Sequence, residues 1–122
     1  MILLDTNALI WLEQNHRRAR TLTTLHKRLY ISPASLLELR FLIEAGRIRL
    51  RDSSLVDLAH DERWFLDDPP ATRWFEEAID LTWTRDPFDR LIVANARIRG
   101  WRLATSDAAV LEHLSERERL AI

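Results

Sequence analysis

Cysteine is absent from this chain of 122 residues, which excludes a disulfide framework and a zinc site built on thiolates. Glycine and proline are rare, with two and four copies, so helices should dominate over turns and loops. No apolar run approaches the roughly 20 residues that cross a bilayer, and the start lacks the basic and long apolar segments of a secretory signal. These absences predict a cytoplasmic protein with no membrane contact, and the length predicts a single domain, residues 1–122.

Lysine is also nearly absent, because 17 of the 18 basic side chains are arginine and Lys27 is the exception. The net charge of −1 argues against a polycation that binds nucleic acid over its whole surface. Arginine binds phosphate through two hydrogen bonds and stacks on bases, so the cluster of Arg17, Arg18 and Arg20 is compatible with a surface that contacts RNA or DNA. A GC-rich genome, whose codons favour arginine, explains the same composition.

Tryptophan is frequent for this length, with five copies, of which Trp64, Trp74 and Trp83 lie close together in the sequence. Packing in the core is the default interpretation of these three side chains. A platform on which bases stack and a protein interface are the alternatives.

Short apolar segments alternate with helix-forming segments along the chain. Strands are predicted at residues 2–4, 30–31, 63–66, 102–104 and 120–122, with 63–66 in the core and 47–51 as a further short strand. Helices are predicted at residues 7–13, 17–28, 33–45, 54–60, 69–80, 88–99 and 107–114. This alternation favours a parallel sheet covered by helices on both faces. In such sheets ligands bind beyond the carboxyl ends of the strands.

Acidic residues follow or neighbour those strand ends. Asp5 follows the first strand, Glu38 lies in the second turn of a helix, Asp86 and Asp89 bracket the start of another, and Asp107 follows the 102–104 strand. Carboxylates that converge at one edge repel each other unless a cation neutralises them. Oxygen ligands without cysteine suit Mg²⁺ or Mn²⁺, and metals held by carboxylates hydrolyse phosphodiesters.

Each acid also has a simpler interpretation. Asp is a frequent helix N-cap, so Asp5, Asp86 and Asp107 are candidates for capping alone. Asp89 could interact with the helix dipole, and Glu38 could be a solvated helix residue. The joint placement of these acids at one predicted edge favours a site over five independent local roles.

Four segments together resemble the PIN-domain family, and in particular the compact bacterial VapC-like toxins. They are MILLDTNALIW at the start, ISPASLLELRFLIEAGRI in the middle, RDPFDRLIVANARIRGW, and LATSD. They cover nearly the whole chain in the order and spacing of the family. The chain departs from the commonest pattern at Arg85, where His often precedes Asp-Pro, and in the segment 52–80.

The resemblance implies a three-layer α/β/α sandwich around a central, mainly parallel sheet of four to five short strands. It also implies endoribonuclease activity with Mg²⁺ or Mn²⁺. The family's four acids, its catalytic and metal-ligating residues, correspond to Asp5, Glu38, Asp89 and Asp107. Asp86 matches an accessory acid, and Thr6, Asn7 and Ser106 match polar positions that support the ligands.

The function predicted on this basis is that of a toxin ribonuclease in a type II toxin–antitoxin system. RNA would be its substrate, a cognate antitoxin its partner, and a homodimer its assembly. Arg85 and Arg90 flank the acids and are candidates to hold the scissile phosphate. The alternative is a non-catalytic PIN-fold module that binds RNA or protein. A phosphatase on a similar sheet is disfavoured, because it would need Asp where Asn7 stands.

Overall fold

A computed structural model describes residues 1–51 and 54–122. Positions 52 and 53, which begin the unusual segment 52–80, lie outside the described residues. Within this part of the chain there are five strands: β1 (Ile2–Leu4), β2 (Leu29–Ile31), β3 (Phe65–Leu66), β4 (Arg102–Thr105) and β5 (Arg119–Ala121). The seven α-helices are α1 (Thr6–Glu13), α2 (Arg20–Thr24), α3 (Pro33–Glu44), α4 (Leu55–Ala59), α5 (Ala71–Ile79), α6 (Pro87–Arg99) and α7 (Ala108–His113), with a short 3₁₀ turn (Arg17–Ala19) before α2.

The five strands form one sheet in the order β3-β2-β1-β4-β5, and every neighbouring pair is parallel. From the central strand β1 the chain builds outward to β2 and β3 on one side, then crosses to β4 and β5 on the other. The switch point of the topology therefore lies between the carboxyl ends of β1 and β4, where ligands bind in open α/β sheets. The predicted parallel α/β fold is confirmed.

The helices form a layer on each face of the sheet, because alternate residues of the strands point to opposite faces. Ile2 and Leu4 pack with α1 through α4, whereas Leu3 packs with α5 through α7. All three residues of β1 are buried, as expected for the central strand of a sheet covered on both sides. Among the described residues, no helix combines the length and the apolar character needed to cross a membrane.

Local signals define the two longest helices. Ser32 caps α3 through its hydroxyl, which accepts from the backbone N–H of Ala34, and Pro33 occupies the first helical position. Asp86 and Pro87 begin α6 in the same way. Gly100 ends α6 with φ of 68°, a left-handed conformation that glycine adopts without strain.

Three predicted elements differ from the structure. The predicted strand at 47–51 is wrong, because this segment is irregular and lies against α1, where Arg51 N–H donates to the Glu13 carboxylate. The segment 63–66 contains only the two-residue edge strand β3, whose residues are both exposed, so the predicted core strand is wrong, although Trp64 just before it is buried. The helix predicted at 17–28 ends at Thr24.

Candidate active site

A cleft of about 230 Å³ opens at the switch point between β1 and β4. The four acids predicted as ligands and the accessory acid all line it: Asp5, Glu38, Asp86, Asp89 and Asp107. These residues come from four separate segments of the chain. The parallel sheet brings them together, because the residues that follow β1 and β4, the second turn of α3 and the start of α6 all lie at its carboxyl edge.

Asp5 is the acid that the central strand delivers to the cleft. Its backbone N–H donates to the carbonyl of Ala104 at 3.0 Å, which extends the β1–β4 pairing to the cleft. Its Oδ1 accepts from the Ala8 N–H at 2.7 Å and caps α1. Capping therefore holds Asp5 in one orientation at the cleft wall, and the two interpretations of this residue are compatible.

Asp86 and Asp107 combine the same two placements. Oδ1 of Asp86 accepts from the N–H groups of Phe88 and Asp89, and Oδ1 of Asp107 accepts from those of Ala109 and Val110. Among the described residues, Oδ2 of neither acid has a hydrogen-bond partner. One oxygen of each carboxylate therefore fixes a helix start, and the other is free to bind a ligand.

Glu38 is oriented by a neighbouring hydroxyl. The Thr6 hydroxyl donates to Oε1 of Glu38 and also lies 3.2 Å from the hydroxyl of Ser35. Thr6 and Ser35 are both buried, whereas Glu38 is partly exposed. This contact connects the start of α1 to α3, and the role of Thr6 in supporting a metal ligand stays a prediction.

Burial, together with the charges of neighbouring acids, raises the pKa of Asp5, Glu38 and Asp89. Burial raises the pKa of Asp5 from 3.8 to about 6, although the neighbouring Thr105 side chain and the hydrogen bond from the Ala8 N–H oppose the shift. Burial and the charges of the neighbouring acids, Asp86 first, raise the pKa of Asp89 to about 7. Burial also raises the pKa of Glu38. The folded cleft thus holds more negative charge than its surroundings stabilise.

The donor set of the cleft fits a hard divalent cation. It contains five carboxylates, the hydroxyls of Thr6 and Thr105 and the amide of Asn7, which are oxygen ligands of the kind that Mg²⁺ and Mn²⁺ prefer. A dication would also relieve the repulsion that raises these pKa values. Within residues 1–51 and 54–122, no three acidic or histidine side chains are arranged to hold a metal ion together, but Mg²⁺ commonly binds to one or two carboxylates and several waters.

The arginines of the cleft differ from those predicted. Arg85 is exposed and does not line the cleft. Arg90 donates from Nε to the Thr84 carbonyl at 2.8 Å and from Nη1 to the Ile79 carbonyl at 3.4 Å. Arg90 therefore braces the loop before α6, and its guanidinium does not line the cleft.

Arg47 lines the cleft instead. It follows Gly46, whose φ of 70° turns the chain back at the end of α3. The Arg47 N–H donates to the Leu42 carbonyl and the Gly46 N–H to the Ile43 carbonyl, which is the Schellman arrangement. The Ala-Gly-Arg sequence after the predicted helix was the signal that could have placed Arg47 here.

Thr105 is the other residue that sequence reasoning missed. It is fully buried, it lines the cleft beside Asp5, whose pKa its side chain lowers, and its Oγ1 accepts from the Asp107 N–H at 3.1 Å. Ser106, the predicted supporting hydroxyl, is partly buried and does not line the cleft. Asn7 lines the cleft as predicted and is exposed.

Comparison with known proteins supplies a family and a fold. A sequence model of the PIN domain matches residues 2–116. A chain of a toxin-antitoxin complex from Klebsiella pneumoniae superimposes with a TM-score of 0.72 at 18% identity, covering 98% of this chain and 96% of that one. No curated protein matches the sequence significantly.

Two further solved structures share the fold at lower similarity. A chain of FitAB bound to an IR36 DNA fragment aligns with a TM-score of 0.57 at 19% identity, covering 100% and 94% of the two chains. A chain of FitAcB from Neisseria gonorrhoeae aligns with a TM-score of 0.55 at 22% identity, covering 92% and 91%. At these identities the likeness establishes the fold alone.

Proposed function

Because the chain belongs to the PIN domain family, we propose that it is a metal-dependent endoribonuclease that hydrolyses RNA phosphodiester bonds. The observation that carries this proposal is the convergence of five carboxylates at the switch point of the sheet, with the pKa of Asp5 raised to about 6 and that of Asp89 to about 7. A cluster of acids that disfavours its own ionisation is explained by a cation that it binds.

Asp5, Glu38, Asp89 and Asp107 would hold one or two Mg²⁺ or Mn²⁺ ions. A divalent ion in such a site supplies a water of lowered pKa and neutralises the charge that develops on the phosphate. The chain's own groups position the acids: the Ala8 N–H holds Asp5, and the Thr6 hydroxyl holds Glu38. Arg47 lines the same cleft and would bind the scissile phosphate through its planar guanidinium.

We further propose that the chain is the toxin component of a toxin–antitoxin pair. One neighbour in the fold is described as part of a toxin-antitoxin complex, and this supports a cognate antitoxin as partner. The excess of acids in the cleft would accept a basic side chain from such a partner. A homodimer completes the proposed assembly.

The test is cleavage of RNA by the wild-type chain and by Asp5→Asn, each with Mn²⁺ and with chelator. Asp80→Asn is the matched control, because Asp80 is exposed and lies outside the cleft. We expect Asp5→Asn to lose at least about 100-fold in rate, the cost of removing a group that stabilises the transition state, and Asp80→Asn to retain activity.

Undiminished cleavage by Asp5→Asn in chelator would overturn this assignment. Calorimetry gives an independent readout, because the wild-type chain should bind Mn²⁺ at millimolar concentration. Absence of binding together with absence of cleavage would favour the alternative, a non-catalytic PIN-fold module that binds RNA or protein.

A further inference from the structure

A row of planar side chains lies on the sheet face that α5 and α6 cover, towards the edge strand β3. In spatial order it consists of Arg28, Phe65, Tyr30, Trp101 and Arg99, and we call it the aromatic row. The Arg28 guanidinium lies 5.2 Å from the Phe65 ring centroid, and the Arg99 guanidinium lies 5.7 Å from that of Trp101. The ring centroids of Phe65 and Tyr30 are 5.6 Å apart, and those of Tyr30 and Trp101 are 4.2 Å apart.

One end of the row is fixed by the fold. Arg99 donates two hydrogen bonds to Asp67 at 3.0 Å each, and Asp67 also accepts from the Asn95 amide at 2.8 Å. Asn95 is fully buried and Asp67 nearly so. This network anchors β3 to α6, so Arg99 and Trp101 have a structural reason for their positions.

Within the part of the chain that the structure describes, no hydrogen-bond network of this kind fixes the other end of the row, which consists of Arg28 and Phe65. Phe65 is 53% exposed, and its strand β3 lies at the edge of the sheet. Arg28 is exposed, and among the described residues it forms none of the ion pairs of the chain. An apolar ring and an unpaired guanidinium are thus held together in solvent, where neither gains from burial.

The chemistry of this open end matches single-stranded RNA. Unpaired bases stack on aromatic rings and on arginine planes, and a guanidinium also binds phosphate through two hydrogen bonds. A nucleotide of RNA can stack its base on the Phe65 ring and bind its phosphate to the Arg28 guanidinium.

The row lies outside the cleft. Phe65 pairs with Tyr30 in the middle of β2, and none of the five side chains lines the cleft. Arg28 precedes β2, whereas the acids lie beyond the opposite ends of the strands. Three-residue strands span about 10 Å along their length, and β3 lies two strand spacings, roughly a further 10 Å, from β1, so the row would hold RNA that flanks the scissile bond.

We propose that Arg28 and Phe65 form a subsite for an unpaired nucleotide of the RNA substrate, an inference that rests on the proposed ribonuclease function. The subsite contributes affinity and takes no part in the chemical step. Removing it should therefore raise KM and leave kcat unchanged.

The test measures binding of a fluorescent single-stranded oligoribonucleotide by anisotropy, in the Asp5→Asn background so that the RNA stays intact. Phe65→Ala and Arg28→Ala should each weaken binding by about tenfold, the usual effect of one base stack. Phe65→Tyr keeps a ring and should bind as the parent does. Phe75→Ala is the matched control, because Phe75 is 52% exposed on α5 and lies outside the row.

Unchanged affinity in Phe65→Ala, or an equal loss in Phe75→Ala, would overturn the proposal. A shift in sedimentation of Phe65→Ala with unchanged RNA affinity would assign the row to a protein interface, which also overturns it. Binding and cleavage are read separately: RNA binding that depends on Phe65 in a chain that never cuts RNA refutes only the ribonuclease. Cleavage that depends on Asp5 but not on Phe65 refutes only the subsite.

Discussion

Single acids of the cleft have two roles at once, because one carboxylate has two oxygens. Asp86 and Asp107 use Oδ1 to cap helices and keep Oδ2 free among the described residues. A capping aspartate is held rigidly by the backbone that it caps. Capping and ligand binding, which the sequence presents as competing explanations, are therefore compatible in one side chain.

Asp89 should destabilise the fold at neutral pH when no divalent ion is present. Its pKa is raised to about 7 in the folded chain, from 3.8, so between pH 4 and 7 the folded state binds more protons than the unfolded state. The stability contributed by this group consequently falls as pH rises through that window. Asp89→Asn removes the penalty and should raise Tm by about 3–8 °C at pH 8, corresponding to roughly 1–2 kcal/mol after solvent screening.

The measurement is thermal unfolding of both chains in chelator from pH 4 to pH 8. The difference in Tm should be near zero at pH 4 and largest above pH 7. Asp80→Asn, whose side chain is exposed, should show no such growth. A difference that stays constant with pH would contradict the raised pKa of Asp89.

Arg47 should matter for the substrate more than the two arginines that flank the acids in the sequence. Arg47→Ala removes the guanidinium that lines the cleft and should raise KM for RNA by roughly tenfold, the effect of losing a charge-assisted contact to phosphate. Arg85→Ala is the matched control, since Arg85 is exposed outside the cleft. If steady-state kinetics showed that Arg85→Ala raises KM more than Arg47→Ala does, Arg85 would again be the candidate that binds the phosphate.

At the level of elements, helix ends were predictable because their signals are local. Ser32-Pro33 and Asp86-Pro87 begin α3 and α6, and Gly100 ends α6. A strand was wrongly predicted at 47–51, because the alternation of charged and apolar residues in this segment is typical of a strand. The turn at Gly46 instead directs the segment along α1, where the sheet offers no edge for it to pair with.

The loop between α5 and α6 depends on Arg90, which bonds to the carbonyls of Ile79 and Thr84. Arg90→Ala should lower Tm by about 3–6 °C, since hydrogen bonds from a charged donor contribute about 1 kcal/mol or more. KM for RNA should stay unchanged, as Arg90 does not line the cleft. Thermal unfolding and kinetics of the same variant distinguish stabilisation of the loop from phosphate binding by Arg90. An unchanged Tm with a raised KM would favour phosphate binding.

At the level of the whole molecule, the order of the strands creates the site. The sheet places β1 at its centre and β4 beside it, so Asp5 and Asp107 meet although about a hundred positions separate them in the sequence. Arg28, Arg102 and Arg119 stand at the opposite, amino edge, where β2, β4 and β5 begin. The nearly neutral chain is thus electrically polar across its sheet.

Binding of a divalent ion should stabilise the entire fold, because a ligand that binds only the folded state raises its stability. Mn²⁺ at 100 times its Kd should add about 2.7 kcal/mol. The gain in Tm should be larger at pH 8 than at pH 5.5, since the ligands must lose their protons and Asp5 and Asp89 hold theirs to about pH 6 and 7. Thermal unfolding with and without Mn²⁺ checks this, and an equal gain in Asp5→Asn would contradict it.

The sequence by itself determined the family, the parallel α/β class and most helix starts. It also placed the acids at strand ends and in the first two turns of helices, because caps, apolar periods and strand-end positions are local properties. The catalytic roles of Asp5, Glu38, Asp89 and Asp107 stay predictions until the variants are measured.

Only the tertiary structure decided which arginine enters the cleft, and that Thr105, rather than Ser106, lines it. It also decided that Trp64 and Trp74 pack in the core whereas Phe65 stays half exposed. These outcomes depend on contacts between segments far apart in the chain, and no local pattern of residues encodes the side on which a later strand joins the sheet.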